Sequence, residues 1–151
     1  MTVTLGEPES LELGRIVRAQ LTVATGGPGF TEISAEVDRF LRAAGAGEGL
    51  ATLFVRHTSA SLTIQENVDA DVLADLTDSL ARLAPESAAY RHGIEGPDDM
   101  PGHIKTMLTD VSLAVPVSGG RMALGTYQGV FLVEHRARGR RRTVTLTYLG
   151  A

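Results

Sequence analysis

Four histidines are the residues of this chain best suited to chemistry, because each lies in a short polar segment between apolar stretches. They are His57, His92, His103 and His135. Imidazole is the commonest protein ligand for transition metals, and it exchanges protons near neutral pH. Several of these side chains brought together would make a metal site or an acid–base site.

His57 follows an apolar segment typical of a strand and precedes the small polar run TSAS at 58–61. Those residues leave room for a ligand, and hydroxyls such as that of Ser59 can donate to it. The structural alternative is a histidine that closes the strand with a backbone hydrogen bond. For a lone histidine this alternative is the stronger one, since histidine is often partly buried without a function.

His92 and His103 are separated by ten residues that include Glu95, Asp98 and Asp99. A loop that folds back here would bring two imidazoles and a carboxylate together. The spacing is not a fixed helical register such as His-Glu-x-x-His, so it is weak evidence by itself. The alternative is a solvated acidic loop in which Asp99 caps a following helix.

Glu134, His135 and Arg136 are consecutive at the end of a predicted strand. Neighbours on a strand point to opposite faces, so at most one of Glu134 and His135 is expected to enter a given pocket. A buried Glu134 needs a partner, and Arg136 is the nearest candidate on the same face. A structural salt bridge is therefore at least as well supported as a catalytic role.

Two further polar clusters have structural alternatives. Carboxylates in the segment QENVDAD at 65–71 precede a predicted helix, where Asp69 is expected to cap the helix rather than bind a ligand. Five arginines between 136 and 142 could hold phosphate through their guanidinium groups. A solvent-facing hairpin tip would explain most of them equally well.

Composition limits the class of protein. A chain of 151 residues with 43% hydrophobic and 21% charged residues fits one globular domain over 1–151. A net charge of −4 argues against nucleic acid as a partner. No cysteine is present, so any metal must use His, Asp, Glu or water. Without a signal peptide or an apolar stretch of about 20 residues, we expect a cytoplasmic protein with no membrane contact.

The hydrophobic pattern predicts an α+β fold of mainly antiparallel, sandwich-like sheets with a few helices, because the late strands are joined by tight turns. A helix capped by Thr31 should end near Gly45, a second should run over 68–83, and a third should follow Asp99. A turn at Gly139 is expected to join the last two strands as a hairpin. The predicted strands cover 11–23, 50–56, 61–65, 111–117, 121–124, 129–136 and 143–149.

Several of these segments together resemble the YjbQ-type family, whose members are described as secondary thiamine-phosphate synthases. The resemblance covers about 11–150, and the combination is specific although each piece alone is not. The segments are RHTSASLT at 56–63, QENVD at 65–69, the stretch 90–105, GTYQGV at 125–130 and EHR at 134–136. Gly93 stands where an acidic residue often follows the family's histidine, and Tyr127 where tryptophan is usual.

The resemblance implies a homotrimer with a histidine-lined metal pocket for a zinc-like divalent ion, or magnesium with a pyrophosphate substrate. It implies that a pyrimidine pyrophosphate is coupled to a thiazole phosphate, so the partner would be a small phosphorylated molecule. Arg136 and the metal would neutralise the departing pyrophosphate. The ligands it implies are His57, His92 and His103; the catalytic residues are Glu95, Asp69, Glu134, His135 and Arg136; the substrate-binding residues are Ser59, Asn67 and Gln128.

Two other classes of function stay open. A metal-dependent hydrolase would use three histidines and a nearby carboxylate to activate a metal-bound water. A non-catalytic trimer would use the same cluster for a structural or regulatory metal. The difference between these two lies in an open coordination position, because structural zinc sites are usually closed by four protein ligands.

Overall fold

Two antiparallel sheets and three helices form the described part of the chain, in a computed structural model that covers residues 2–8, 10 and 12–151. This confirms the predicted α+β class. The elements are β1 (Arg15–Ala24), β2 (Gly29–Glu32), α1 (Ser34–Ala43), β3 (Gly49–Val55), β4 (Ala60–Glu66), α2 (Ala70–Leu83), α3 (Asp99–Leu108), β5 (Ser112–Ser118), β6 (Arg121–Met122), β7 (Gln128–Glu134) and β8 (Arg141–Gly150).

The larger sheet has the strand order β1-β8-β3-β5-β6, and the smaller sheet has the order β2-β7-β4. Side chains from both sheets and from α1 form one hydrophobic cluster. Strand β8 shows why the sequence pattern works: Val144, Leu146 and Tyr148 are buried and alternate with half-buried threonines. Leu41 of α1 packs into the same cluster, fully buried.

The predicted hairpin around Gly139 is wrong. Strand β7 pairs with β2 and β4, whereas β8 pairs with β1 and β3, so the connection crosses from one sheet to the other. Gly139 is needed for a different reason: a Cβ there would lie 2.0 Å from the carbonyl oxygen of Thr25. The glycine permits a close approach of two backbone segments rather than a hairpin turn.

The start of the fold also differs from the prediction. Thr31 was expected to cap a helix, but it belongs to β2, and α1 begins at Ser34. Phe30 holds β2 in place by an edge-to-face contact with Phe131 of β7, their ring centroids 6.2 Å apart. Strand β1 begins at Arg15, and the predicted start at Leu11 lies outside the described residues.

The ends of α2 and α3 place several polar groups. Asp69 caps α2, as predicted, and its side chain accepts a hydrogen bond from the amide of Asp71. Helix α3 begins one residue earlier than a cap at Asp99 would require, because Asp98 takes the cap position and Asp99 is the first helical residue. Within the described residues, no helix is long and apolar enough to cross a membrane.

Candidate functional site

Two of the predicted histidine ligands converge on one carboxylate. His92 Nε2 lies 2.8 Å from Asp99 Oδ2, and His103 Nε2 lies 3.2 Å from the same oxygen. Asp99 and His103 are four residues apart on α3 and therefore share a face, while His92 comes from the preceding loop. The loop thus folds back as one sequence interpretation required. We call these three residues the His–Asp cluster.

Asp99 is a buried carboxylate that stays ionised. Burial alone would raise its pKa, but hydrogen bonding from His92 and the charges of Arg136 and His103 outweigh that effect and hold the pKa below its ordinary value. The Arg136 guanidinium donates to Asp99 Oδ1, which leaves Oδ2 for the two histidines. The Asp99 carboxylate can therefore bind a metal ion through Oδ2 near neutral pH without first losing a proton.

The His–Asp cluster fits a zinc-like ion. Tetrahedral zinc with bonds of 2.0–2.1 Å places neighbouring ligand atoms about 3.3 Å apart. The observed separations of 2.8 and 3.2 Å from Asp99 Oδ2 are close to this value, and all three ligand atoms lie within 4.8 Å of one another. The His92 ring hydrogen-bonds to the Asp99 carboxylate through Nε2–H, and an ion bound by these two residues would take the place of that proton.

The Arg136 side chain ties the loop before α3 to the end of β7. Its Nε donates to Asp98 Oδ2 at 2.9 Å, and its Nη2 donates to the carbonyl oxygen of Glu95 at 2.8 Å. Hydrogen bonding from Arg136 lowers the pKa of Asp98 to about 2. The Glu95 carboxylate is exposed and lies 3.9 Å from Nη1. Arg136 is thus mainly occupied in positioning Asp99 and its neighbours.

Glu134 pairs with Arg142 of the opposite sheet, so the predicted salt bridge between the side chains of Glu134 and Arg136 is wrong. Arg142 Nε donates to Glu134 Oε2 at 2.7 Å, and Thr25 Oγ1 donates to the same oxygen at 2.7 Å. The amides of His135 and Arg136 donate to Oε1. Burial opposes ionisation of Glu134, but these donors keep its pKa below the ordinary value. The carboxylate is structural, with both oxygens occupied.

His135 is buried next to this pair. Its Nε2 lies 2.8 Å from Ser61 Oγ, and burial, helped by the charge of Lys105, lowers the pKa of His135 to about 4. The ring is therefore neutral at pH 7. Glu134 and His135 both line one cleft, contrary to the expectation that only one of them would enter a given pocket. Strand alternation fails here because β7 ends at Glu134.

His57 does not join the His–Asp cluster. Its Nε2 accepts a hydrogen bond from the Thr143 amide at 2.9 Å, which is the structural alternative considered for this residue. Burial, followed by the charge of Arg142, lowers the pKa of His57. Ser59 lines the same open pocket as His57, and its hydroxyl accepts from Arg142 at 3.1 Å. Within the described residues, the side chains that meet as candidate ligands are those of His92, Asp99 and His103.

The other predicted site residues lie away from the cluster. Asn67 donates to Glu32 at 3.1 Å, Gln128 accepts from the Gly125 amide at 2.8 Å, and Asp69 caps α2. Asn67 and Asp69 line a cleft at the start of α2. The catalytic and substrate-binding roles implied by the resemblance are therefore spread over several surfaces of one chain.

Sequence reasoning missed two residues of this network and left the role of a third open. Asp99 is one of three candidate carboxylates in the loop interpretation and a cap in the alternative, but its spacing of four from His103, which places both on one helical face, is not used. Asp98 was not connected with Arg136. Arg142 was assigned to a solvent-facing tip, although it is two residues from Val144 and therefore lies on the same buried face of β8.

The fold and the cluster together define a mixed α+β protein with a candidate metal centre. The sequence model of the UPF0047 protein YjbQ-like family matches residues 19–151, and the chain belongs to this family. Its fold and its sequence therefore lead to the same group as the motifs did.

Individual relatives agree with this assignment. The chain is 48% identical over 131 residues to a UPF0047 protein of Synechocystis, which covers 86% of this chain and 89% of the relative. It is 49% identical over 102 residues to UPF0047 protein YjbQ of Salmonella typhimurium, covering 68% and 74%. A conserved hypothetical protein of Thermus thermophilus, solved by crystallography, superposes with a TM-score of 0.77 at 38% identity, covering 85% and 97%.

Proposed function

We propose that this protein is a metal-dependent enzyme whose divalent ion is held by His92, Asp99 and His103. The observation that carries the proposal is the convergence of two imidazole nitrogens and one buried carboxylate oxygen. Catalytic zinc sites typically have three protein ligands and keep a further position for water or substrate. When bound, such an ion supplies Lewis-acid stabilisation of developing negative charge.

The surface beside the cluster supports a phosphorylated substrate. A cleft of about 410 Å³ is lined by three arginines, Arg136, Arg138 and Arg140, together with three acidic residues, Glu86, Glu95 and Asp98. Arg138 and Arg140 are exposed, and no salt bridge of theirs is present within residues 12–151. Guanidinium groups match the geometry of phosphate oxygens. These two arginines are better placed than the occupied Arg136 to bind a phosphoryl group.

The reaction we propose is the thiamine-phosphate synthase reaction, which joins a pyrimidine pyrophosphate to a thiazole phosphate. The thiazole nitrogen bonds to the carbon that carries the pyrophosphate, and the bond from that carbon to oxygen breaks, so that pyrophosphate leaves. In this chain, Arg138 and Arg140 would bind and orient the pyrophosphate, and Arg136 would hold Asp99 and the loop in place. Orientation of two bound substrates supplies much of the rate in a reaction of this kind. The proposal needs little proton transfer, which agrees with the exposed position of Glu95.

A metal-dependent hydrolase is the second candidate. The set of two histidines and one carboxylate favours it, because the same set with an open position is typical of zinc hydrolases. A non-catalytic metal site would need a fourth protein ligand, and only three such residues meet within the described chain. The substrate, rather than the ligand set, distinguishes the two enzymatic candidates.

Metal content is the first test. We expect purified protein to hold one divalent ion per chain, and we expect His92→Ala and His103→Ala to lose it. His57→Ala is the matched control, since His57 lies outside the cluster, and should retain the ion. Equal metal content in wild type, His92→Ala and His103→Ala would contradict the metal centre.

Product formation is the second test. Pyrophosphate release from the two thiamine precursors should be lost in His103→Ala and in Arg138→Ala/Arg140→Ala, and retained in His57→Ala. Release of phosphate from single phosphorylated compounds, with no coupled product, would instead favour the hydrolase. Activity that survives in His103→Ala would remove the cluster from catalysis.

We also propose a homotrimer, as the resemblance implies. The outer face of the larger sheet supports it: Ile16 and Phe54 are 60% and 50% exposed on two of its strands. Leu149 of β8 is paired with Ile16 of β1 on one side and with Leu50 of β3 on the other, so a row of apolar side chains crosses these three strands. Light scattering after gel filtration should give three times the chain mass, and Phe54→Asp should lower it if this face is the interface.

A further inference from the structure

The open pocket beside His57 has several hydrogen-bond donors in its walls and no carboxylate. Its volume is about 510 Å³, which is within the usual range for small-molecule sites. Its polar lining consists of Arg56, His57, Thr58, Ser59 and Arg142, and none of the described residues that line it is acidic. We call it the His57 pocket. A pocket of this composition suits an anion, because an anion accepts hydrogen bonds and is repelled by carboxylates.

The first donor is the ring of His57. Its Nε2 accepts a hydrogen bond from the Thr143 amide at 2.9 Å, so the proton of the neutral ring is on Nδ1. The ring is neutral at pH 7, because burial and the charge of Arg142 lower the pKa of His57. Among the residues that the structure describes, Nδ1–H has no acceptor. It is therefore available to a ligand in the pocket.

The second donor is a buried guanidinium nitrogen. Arg142 is 3% exposed, and its Nε and Nη2 donate to Glu134 and Ser59. Its Nη1 has no partner among the described residues. No enclosed side-chain nitrogen of these residues lacks a partner, so Nη1 must contact accessible space, and Arg142 lines the His57 pocket. The ion pair with Glu134 holds Nη1 in place.

The charges of the wall favour a ligand with one negative charge. Glu134 neutralises Arg142, and His57 is neutral, so the charge that remains is that of the exposed Arg56. Arg56 has no salt bridge within residues 12–151. A carboxylate balances this charge, and its two oxygens match the two N–H donors. A phosphate dianion would leave an excess negative charge.

Apolar side chains form the rest of the pocket. Phe54 and Val111 line it and are 50% and 38% exposed. An apolar group that covers them would be removed from water together with them, which is favourable. The ligand that fits both parts of the pocket has a carboxylate at one end and an apolar group at the other.

We propose that the His57 pocket binds a small carboxylate that carries an apolar group. Its oxygens accept from His57 Nδ1–H and Arg142 Nη1–H, and its apolar group lies against Phe54 and Val111. The pocket shares no lining residue with the cleft of Arg138 and Arg140, and its residues lie outside the His–Asp cluster. The proposal therefore does not rest on the proposed enzymatic function.

The test is an NMR titration of the full chain at pH 7 with benzoate, benzamide, acetate and phenyl phosphate. Benzoate should shift the ring signals of His57. It should bind about tenfold more tightly than benzamide, which has no charge, and about tenfold more tightly than acetate, which has no ring to cover the apolar wall. Equal affinity for benzoate and benzamide, or tighter binding of phenyl phosphate than of benzoate, would overturn the proposal.

Variants locate the site. His57→Phe keeps a ring of similar size without Nδ1–H and should weaken benzoate binding about tenfold. Arg56→Gln removes an exposed charge and should weaken binding about threefold, as for a surface ion pair. Arg138→Gln makes the same change at an exposed arginine outside the pocket and should bind normally. His103→Ala should also bind normally, which separates this site from carboxylate bound by a metal.

Unchanged benzoate affinity in both His57→Phe and Arg56→Gln would refute the His57 pocket as the site. Loss of binding in His103→Ala with retention in His57→Phe would place benzoate at the His–Asp cluster and would also refute it. If His57→Phe does not fold, Thr58→Asp takes its place, because this exposed change puts a negative charge beside the donors. Benzoate binding should then be lost, and retention would count against the proposal.

Discussion

Removal of Arg142 tests the buried ion pair that joins the two sheets. In Arg142→Met, the fully buried Glu134 keeps the Thr25 hydroxyl and two backbone amides but loses its counter-charge. Breaking a buried pair by removing one partner costs about 3–5 kcal/mol. Because three donors remain, we expect a loss near 3 kcal/mol in the free energy of unfolding.

The assay is urea unfolding at pH 7 and at fixed protein concentration, since a trimer would make stability depend on concentration. With a slope near 2 kcal/mol per M, the midpoint should fall by about 1.5 M. Arg138→Met removes an exposed arginine close by and should change stability by less than about 0.5 kcal/mol. Glu134→Gln/Arg142→Met should be more stable than Arg142→Met, because no uncompensated charge remains.

The pH dependence of the stability difference between wild type and Arg142→Met is a second, independent test of the ion pair. The pKa of Glu134 is lowered in the folded protein, so its contribution is present above the ordinary carboxyl pKa and is lost as pH falls through the folded value. In Arg142→Met, protonation of Glu134 would relieve the buried charge. The difference in stability between wild type and variant should therefore shrink between pH 7 and pH 4. A difference below 1 kcal/mol at pH 7, or one that grows on acidification, would refute this reasoning.

Three further predictions concern local features. Asp69→Ala should lower stability by about 1 kcal/mol in thermal unfolding through loss of the α2 cap. Gly139→Ala should lower the free energy of unfolding by about 1–3 kcal/mol, because its Cβ would meet the Thr25 carbonyl. Gly93→Ala is the control and should be nearly neutral, since an added Cβ there has nothing within 4 Å. Equal effects of the two changes would contradict the close approach at Gly139. Wild type should lose about 2 kcal/mol between pH 4 and pH 2 as Asp98 is protonated, and Asp98→Asn should lack that loss in acid titrations of stability.

Local patterns predicted most of the fold. The alternation in β8 and the helical stripe of α2 each specify one element from nearby residues, and both are present. The pairing of strands was harder, because β7 and β8 are close in sequence but belong to different sheets. Nothing local to Gly139 indicates that its neighbour in space is Thr25, more than a hundred residues earlier.

In the site, too, contacts between residues near in sequence were easier to predict than contacts between the two sheets. His92 and His103 meet because the segment between them folds back, which is one of the two interpretations that the sequence left open. The choice of Arg142 rather than Arg136 as the partner of Glu134 depends on contact between two sheets. The separation of His57 from the cluster depends on the same packing, since its ring is held by the backbone of β8.

The charges around the His–Asp cluster connect its geometry with the proposed substrate. Asp98 and Asp99 carry two negative charges, and Arg136 offsets one of them. A divalent ion bound to Asp99 Oδ2 would leave this group of charges at about +1, because the imidazole ligands are neutral. The Glu95 carboxylate is exposed and therefore largely screened. A centre with net positive charge beside Arg138 and Arg140 favours an anionic substrate. Without the charge of Arg136 next to Asp99, the two aspartates and the ion would sum to zero, and the centre would lose this preference.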